Sequence, residues 1–136
     1  MKRFKLIFNT QNKQLLDITK RVQDELRTIE IPNTGMLNLF LQHTSASLLI
    51  QENADLSAKT DLLNFFERLA PEGQKWHQHI WEGADDTTSH MRASVTPSSL
   101  NIPIVEGELG LGVWQGVYLF EHRRGYHSRQ IIATVW

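Results

Sequence analysis

The chain has 136 residues, 40% hydrophobic and 21% charged, and a net charge of -1 at neutral pH. That length suits one domain around one core, and the balanced charge leaves no basic field to draw in nucleic acid or an anionic membrane. The absence of cysteine removes disulfides, thiol nucleophiles and thiolate metal sites together, and it fits a reducing compartment.

The opening MKRFKLIFNTQNK is basic and then apolar, but its apolar part is too short for a signal core and no small-residue cleavage site follows. No apolar run approaches the ~18 residues of a membrane span. The expectation is a soluble cytoplasmic domain covering 1–136. Phe4, Leu6 and Phe8 alternate with Arg3 and Lys5, which predicts a half-buried strand. Over 17–30 the period changes: Ile18, Val22, Leu26 and Ile29 form one helical stripe, capped by Asp17 or Thr19 and ended by Pro32, Asn33 and Gly35. Leu37, Leu39 and Leu41 alternate again, and His43 continues their phase. Residues 47–51 read as another strand. Asp55 then caps a helix with Leu56, Leu63, Phe66 and Leu69 as its stripe, closed by Pro71 and Gly73. Residues 74–96 have no clear period beyond a helix starting at Asp85. From Leu100 the chain reads as strands: a hairpin turning at Glu106-Gly107, a long strand from Val113, a turn at Arg124-Gly125 and a last strand. Early helices and late strands predict an α+β fold with a largely antiparallel or mixed sheet packed with a few helices.

Without cysteine, a transition-metal site must be built from imidazole and carboxylate, and the chain has six histidines. His77 and His79 share a face only in a strand. Asp86 and His90 are four apart, so on a helix they share a face. Asp86 then orients or co-ligates beside His90, or the pair is a surface contact behind an Asp85 cap. His43 is either a hydrogen-bonded core residue or part of a site with Glu52 and Asn53, which stand at a helix entrance that favours anions. Gln115 is in phase with Val113, Val117 and Leu119. It reads equally as a substrate anchor or a bridge to another subunit. LGLGVWQG lacks dinucleotide-loop spacing.

Taken together, HTSASLLIQENAD at 43–55, HQH at 77–79, DDTTSHMRAS at 85–94 and SLNIPIVEGELGLGVWQGVYLFE at 99–121 resemble the YjbQ-like family, also known as the secondary thiamine-phosphate synthase family. The likeness covers nearly the whole chain. Three departures stand out: Val113 where the family usually has Thr, Asp86 where it often has Asn, and Arg92 where it commonly has Lys. The resemblance implies an α+β fold, a trimeric assembly and a histidine-lined site for a divalent metal, zinc or magnesium/manganese. It also implies a transferase side activity that joins a pyrimidine pyrophosphate to a thiazole phosphate.

Two functional expectations follow. One is an enzyme acting on a small phosphorylated substrate, with His43, His79, Asp85 and His90 as metal ligands and His43, Glu52, Asn53, Arg92 and Gln115 as catalytic residues. The other is a non-catalytic ligand- or metal-binding oligomer. Neither expectation includes nucleic acid or a membrane.

Overall fold

The computed structural model describes residues 1–136 as two antiparallel sheets and three helices. Strand β1 (Lys2–Gln11) buries Leu6, Phe8 and Thr10 on one side, as its alternation requires. A three-residue strand, β2 (Leu15–Asp17), precedes α1 (Thr19–Arg27), where the helical stripe predicts helix from 17. The Asp17 carboxylate accepts from the Thr19 amide at 3.0 Å, so it does take up a free N–H at the helix start.

Strands β3 (Thr34–Leu41) and β4 (Ala46–Glu52) follow, then α2 (Leu56–Leu69), where Asp55 accepts from the Ser57 amide at 2.8 Å. The buried stripe of α2 differs from expectation. Phe66 is the buried residue and Leu62 and Leu63 pack beside it, whereas Leu56 is 75% exposed and Leu69 also faces outward. Helix α3 (Asp86–Ser94) is next, then β5 (Ser99–Val105), β6 (Glu108–Leu109), β7 (Gln115–Glu121) and β8 (Tyr126–Val135). Glu106 and Gly107 both have positive φ, 53° and 76°, and close the two-residue β5–β6 hairpin. Strand β7 starts at Gln115 and not at Val113: Gly110–Trp114 is irregular, and Val113, Trp114 and Gln115 are exposed.

The larger sheet runs β1-β8-β3-β5-β6 and the smaller β2-β7-β4, with every pair antiparallel. The inner face of the larger sheet (Leu6, Leu37, Leu39, Ile102, Ile131, Ala133) meets Leu48, Val117 and Leu119 of the smaller sheet and Val22 and Leu26 of α1. The other face of the smaller sheet carries Leu49, Tyr118 and Phe120, and α2 covers it with Phe66. The order is therefore large sheet, core with α1, small sheet, then α2. No helix is long and apolar enough to cross a membrane.

Strands β3 and β4 hold the segment just after α3, and the residue after β7 holds α3 itself. The Leu41 amide donates to the Ser98 carbonyl, the Leu48 amide donates to the Pro97 carbonyl, and the Ser89 hydroxyl donates to the His122 carbonyl. The segment between α2 and α3, residues 70–85, lies over the start of α3 without regular structure.

Candidate metal centre

One turn of α3 separates Asp86 from His90, and the two side chains meet: His90 Nε2 is 3.0 Å from Asp86 Oδ2. His79 comes from the loop before the helix, and its Nε2 lies 2.6 Å from the same oxygen. The His79 and His90 rings are 5.5 Å apart. The ligand atoms of His79, Asp86 and His90 all lie within 4.8 Å of one another. The Asp86 side chain is only 4% exposed, while both imidazoles are partly open to solvent.

The protons in this cluster are constrained. His90 Nδ1 is 2.9 Å from the Thr44 carbonyl, which only accepts, so Nδ1 carries a proton. In a neutral imidazole Nε2 is then a lone pair aimed at a carboxylate oxygen. Two acceptors at that distance repel unless Nε2 is also protonated or a cation sits between them. Burial would raise the Asp86 carboxyl. Contacts with His79 and Glu82 and the charges of His90 and Arg123 outweigh that, and hold it below the usual carboxylate range. Two imidazole nitrogens and one carboxylate oxygen form a donor set suited to zinc, iron or manganese, and the Thr44 carbonyl on the far nitrogen of His90 fixes the ligating tautomer.

Beside the cluster is a cleft of about 570 Å³ lined by His43, Thr44, Ala46, His90, Ser94 and Ser98. His43 is therefore near His90, at the end of the β3 face. It does not join the three ligands. Its Nε2 accepts from the Gln130 amide at 2.9 Å and its Nδ1 faces the Arg129 guanidinium at 3.4 Å. Burial and the Arg129 charge keep this imidazole neutral below its ordinary range, against the opposing pull of Glu121. Arg129 is itself held by Glu121, a buried pair that also engages Ser45 and Thr10.

The remaining expected residues lie elsewhere. Asp85 faces away from the histidines: its Oδ2 accepts from the Arg124 amide at 2.9 Å and from Arg123 Nε at 3.3 Å. Asp86 occupies the place expected of Asp85. Arg92 is 2% exposed and points under α3, donating to the Ala70 carbonyl at 2.9 Å and pairing with Glu67, so it offers nothing to a ligand in the cleft. Glu52, Asn53 and Gln115 gather at the opposite end of β4. There the Asn53 side chain donates through Nδ2 to the Val113 and Gln115 carbonyls, and the Gln115 side chain accepts from the Gly112 amide. Arg123, Thr44, Ser94 and Ser98 were not singled out from the sequence, and no spacing rule marks them.

A family model described as "UPF0047 protein YjbQ-like" matches residues 4–136. Among curated relatives, UPF0047 protein sll1880 of Synechocystis is 45% identical over 130 residues, covering 96% of this chain and 88% of its own length. UPF0047 protein YjbQ of Escherichia coli O157:H7 is 42% identical over 118 residues, with 87% and 85% covered. A crystal structure of a YjbQ/UPF0047 family protein from Clostridium acetobutylicum superposes with a TM-score of 0.84 at 32% identity, covering 98% of this chain and 99% of the other. Fold and sequence agree along the whole length, and the chain belongs to the YjbQ-like UPF0047 family.

Proposed function

We propose that this protein is a metal-assisted enzyme for a small phosphorylated substrate, with a divalent cation held by His79, Asp86 and His90. The observation that carries this reading is the doubly shared Asp86 Oδ2. It faces two imidazole nitrogens, one of them on a ring whose other nitrogen already spends its proton on the Thr44 carbonyl. With Nε2 unprotonated, a cation between the nitrogens and Oδ2 resolves that conflict, and the adjoining cleft has room for a substrate. The two imidazoles favour zinc or manganese over magnesium, which prefers oxygen ligands and retained water.

Family resemblance suggests thiamine-phosphate synthesis as a secondary reaction. A thiazole ring nitrogen attacks the pyrimidine methylene carbon, a C–N bond forms, the C–O bond breaks, and pyrophosphate leaves with the electron pair. Such a reaction depends on positioning and on charge stabilisation at the leaving group. When bound, the cation would supply that positive charge. Thr44, Ser94 and Ser98 would hydrogen-bond phosphate oxygens in the cleft, and neutral His43 would form part of its wall. Arg92 has no part in this version, because it is buried against Ala70 and Glu67. We place the reaction in the cytoplasm and the chain in a homotrimer.

The test is metal analysis of protein purified without a tag, together with turnover of a pyrimidine pyrophosphate and a thiazole phosphate. One equivalent of zinc or manganese in the native protein, lost in Asp86→Asn and His90→Ala with circular dichroism unchanged, supports the site. Native protein that takes up no metal sinks it. A metal-loaded protein that turns over no phosphorylated substrate favours the second reading, a binding protein. The exposed Trp76, Ile80 and Trp81 beside His79 favour that reading, since they offer a partner an apolar surface.

A further inference from the structure

The loop that carries His79 has no regular structure, yet His79 must hold its place against Asp86 and His90. Arg123, just beyond β7, contacts three points around that loop. Its Nη2 donates to the Glu82 carbonyl at 2.8 Å, its Nε donates to Asp85 Oδ2 at 3.3 Å, and its Nη1 lies 3.4 Å from Asp86 Oδ1. Its own backbone is fixed in turn, since the Arg123 amide donates to Glu121 Oε1 and the Arg124 amide donates to Asp85 Oδ2. Gly83 lets the loop approach: it has a φ of 97°, and a Cβ there would fall 2.9 Å from Asp85 Oδ1. Asp86 thus presents one oxygen to Arg123 and the other to the two histidines.

We infer that Arg123 is a positioning residue of the metal centre, which turns Asp86 so that only Oδ2 faces the histidines and pins the His79 loop through the Glu82 carbonyl. The inference rests on the metal reading of His79, Asp86 and His90. In it Asp85 acts as the counter-charge of the clamp and not as a ligand. Arg123 touches no substrate and acts through Asp86 and His79. The planar fork matters more than the charge, because three acceptors in different directions are reached at once and a lysine ammonium reaches fewer of them. A bare positive charge beside a cation site would by itself weaken metal binding, so charge and geometry predict opposite outcomes.

The experiment measures zinc affinity by chelator competition in wild type, Arg123→Lys, Arg123→Gln, His79→Ala and the Arg123→Gln/His79→Ala double variant. Cobalt(II) absorption is recorded on the same proteins. Both Arg123 variants are expected to bind zinc roughly 10–100-fold more weakly, the usual cost of losing an outer-shell partner. In the double variant the Arg123 loss should shrink, since much of it passes through His79. The cobalt spectrum of Arg123→Gln should change in intensity as Asp86 becomes free to ligate through both oxygens. Arg123→Lys with wild-type affinity, tighter binding in Arg123→Gln, or losses that add independently of His79 would each overturn the inference. Should Arg123→Gln not fold, Arg123→Lys and its double variant with His79→Ala read the same quantities. Wild type that binds no zinc or cobalt refutes the metal reading itself, whereas wild type that binds while Arg123→Lys is indifferent refutes only the clamp.

Discussion

Successive residues at a helix start leave it about 100° apart, so Asp85 and Asp86 face different neighbours. Asp86 turns to the histidines, and Asp85 turns to the Arg123 side chain and the Arg124 amide. Their chemistry differs accordingly. Asp86→Asn should abolish metal uptake. Asp85→Asn should keep metal stoichiometry at saturation but lower stability by about 1–3 kcal/mol, because two donors lose a charged acceptor; urea denaturation beside metal analysis separates the two outcomes. The Asp86–His90 pair could be read from the sequence because a spacing of four marks a shared helix face. The ligand set could not, because nothing in the spacing says which way a helix-initial carboxylate turns. His122 gives a second prediction. It is buried between Phe66 and Phe120, with Nε2 against the Ser47 hydroxyl at 2.7 Å. Burial, then the charge of Arg92, lowers it from 6.5 to about 3 despite the opposing Glu121. The neutral form is favoured in the fold, so this contribution is complete above pH 6.5 and is lost as pH falls towards 3. Between pH 7 and pH 5 it amounts to roughly 2 kcal/mol. In urea titrations at those two pH values, His122→Gln should lose less stability than wild type on acidification; an equal loss in both would show that His122 contributes nothing to the acid sensitivity.

Elements with one dominant period were readable: the alternation of Leu37, Leu39 and Leu41 gave β3 and its inner face, and Asp55 gave the start of α2. Asp55→Ala should lower the urea midpoint, since the Ser57 amide then loses its acceptor. No loss would mean that water replaces the cap at no cost. Strand β4 separates His43 from Glu52 and Asn53. His43 stands just before Ala46, while Glu52 ends the strand, and six steps at about 3.3 Å put roughly 20 Å between its ends. QHTSASLLIQEN therefore reaches two separate places, the cleft at its start and the Val113–Gln115 loop at its end. Neighbours in sequence are not neighbours in space along an extended chain. The loop over 70–85 was unreadable for another reason. Arginines hold it from outside, through Arg92 on the Ala70 carbonyl, Arg124 on Glu72 and Arg123 on the Glu82 carbonyl, and such contacts leave no periodic trace.

At the scale of the molecule, the small sheet is covered on both faces, but the large sheet is covered on one. Its outer face carries Ile7 on β1, Ile132 on β8 and Phe40 on β3, with Phe40 directly opposite Ile132 and Ile132 opposite Lys5. Ile7 and Phe40 are exposed, and neither belongs to a core cluster. An apolar strip on an uncovered sheet favours association, and β1, a ten-residue edge strand, adds unpaired backbone groups at the border. The homotrimer proposed above should therefore bury this face. Phe40→Lys tests it. Phe40 is 46% exposed and makes no part of the core, so the substitution should cost the monomer no more than about 1 kcal/mol. A lysine buried in the trimer interface would cost far more through desolvation. Light scattering at micromolar concentration should give a trimer for wild type and a monomer with unchanged circular dichroism for Phe40→Lys. A variant that stays trimeric would move the interface away from the large sheet, and a monomeric wild type would remove the assembly from the reading altogether.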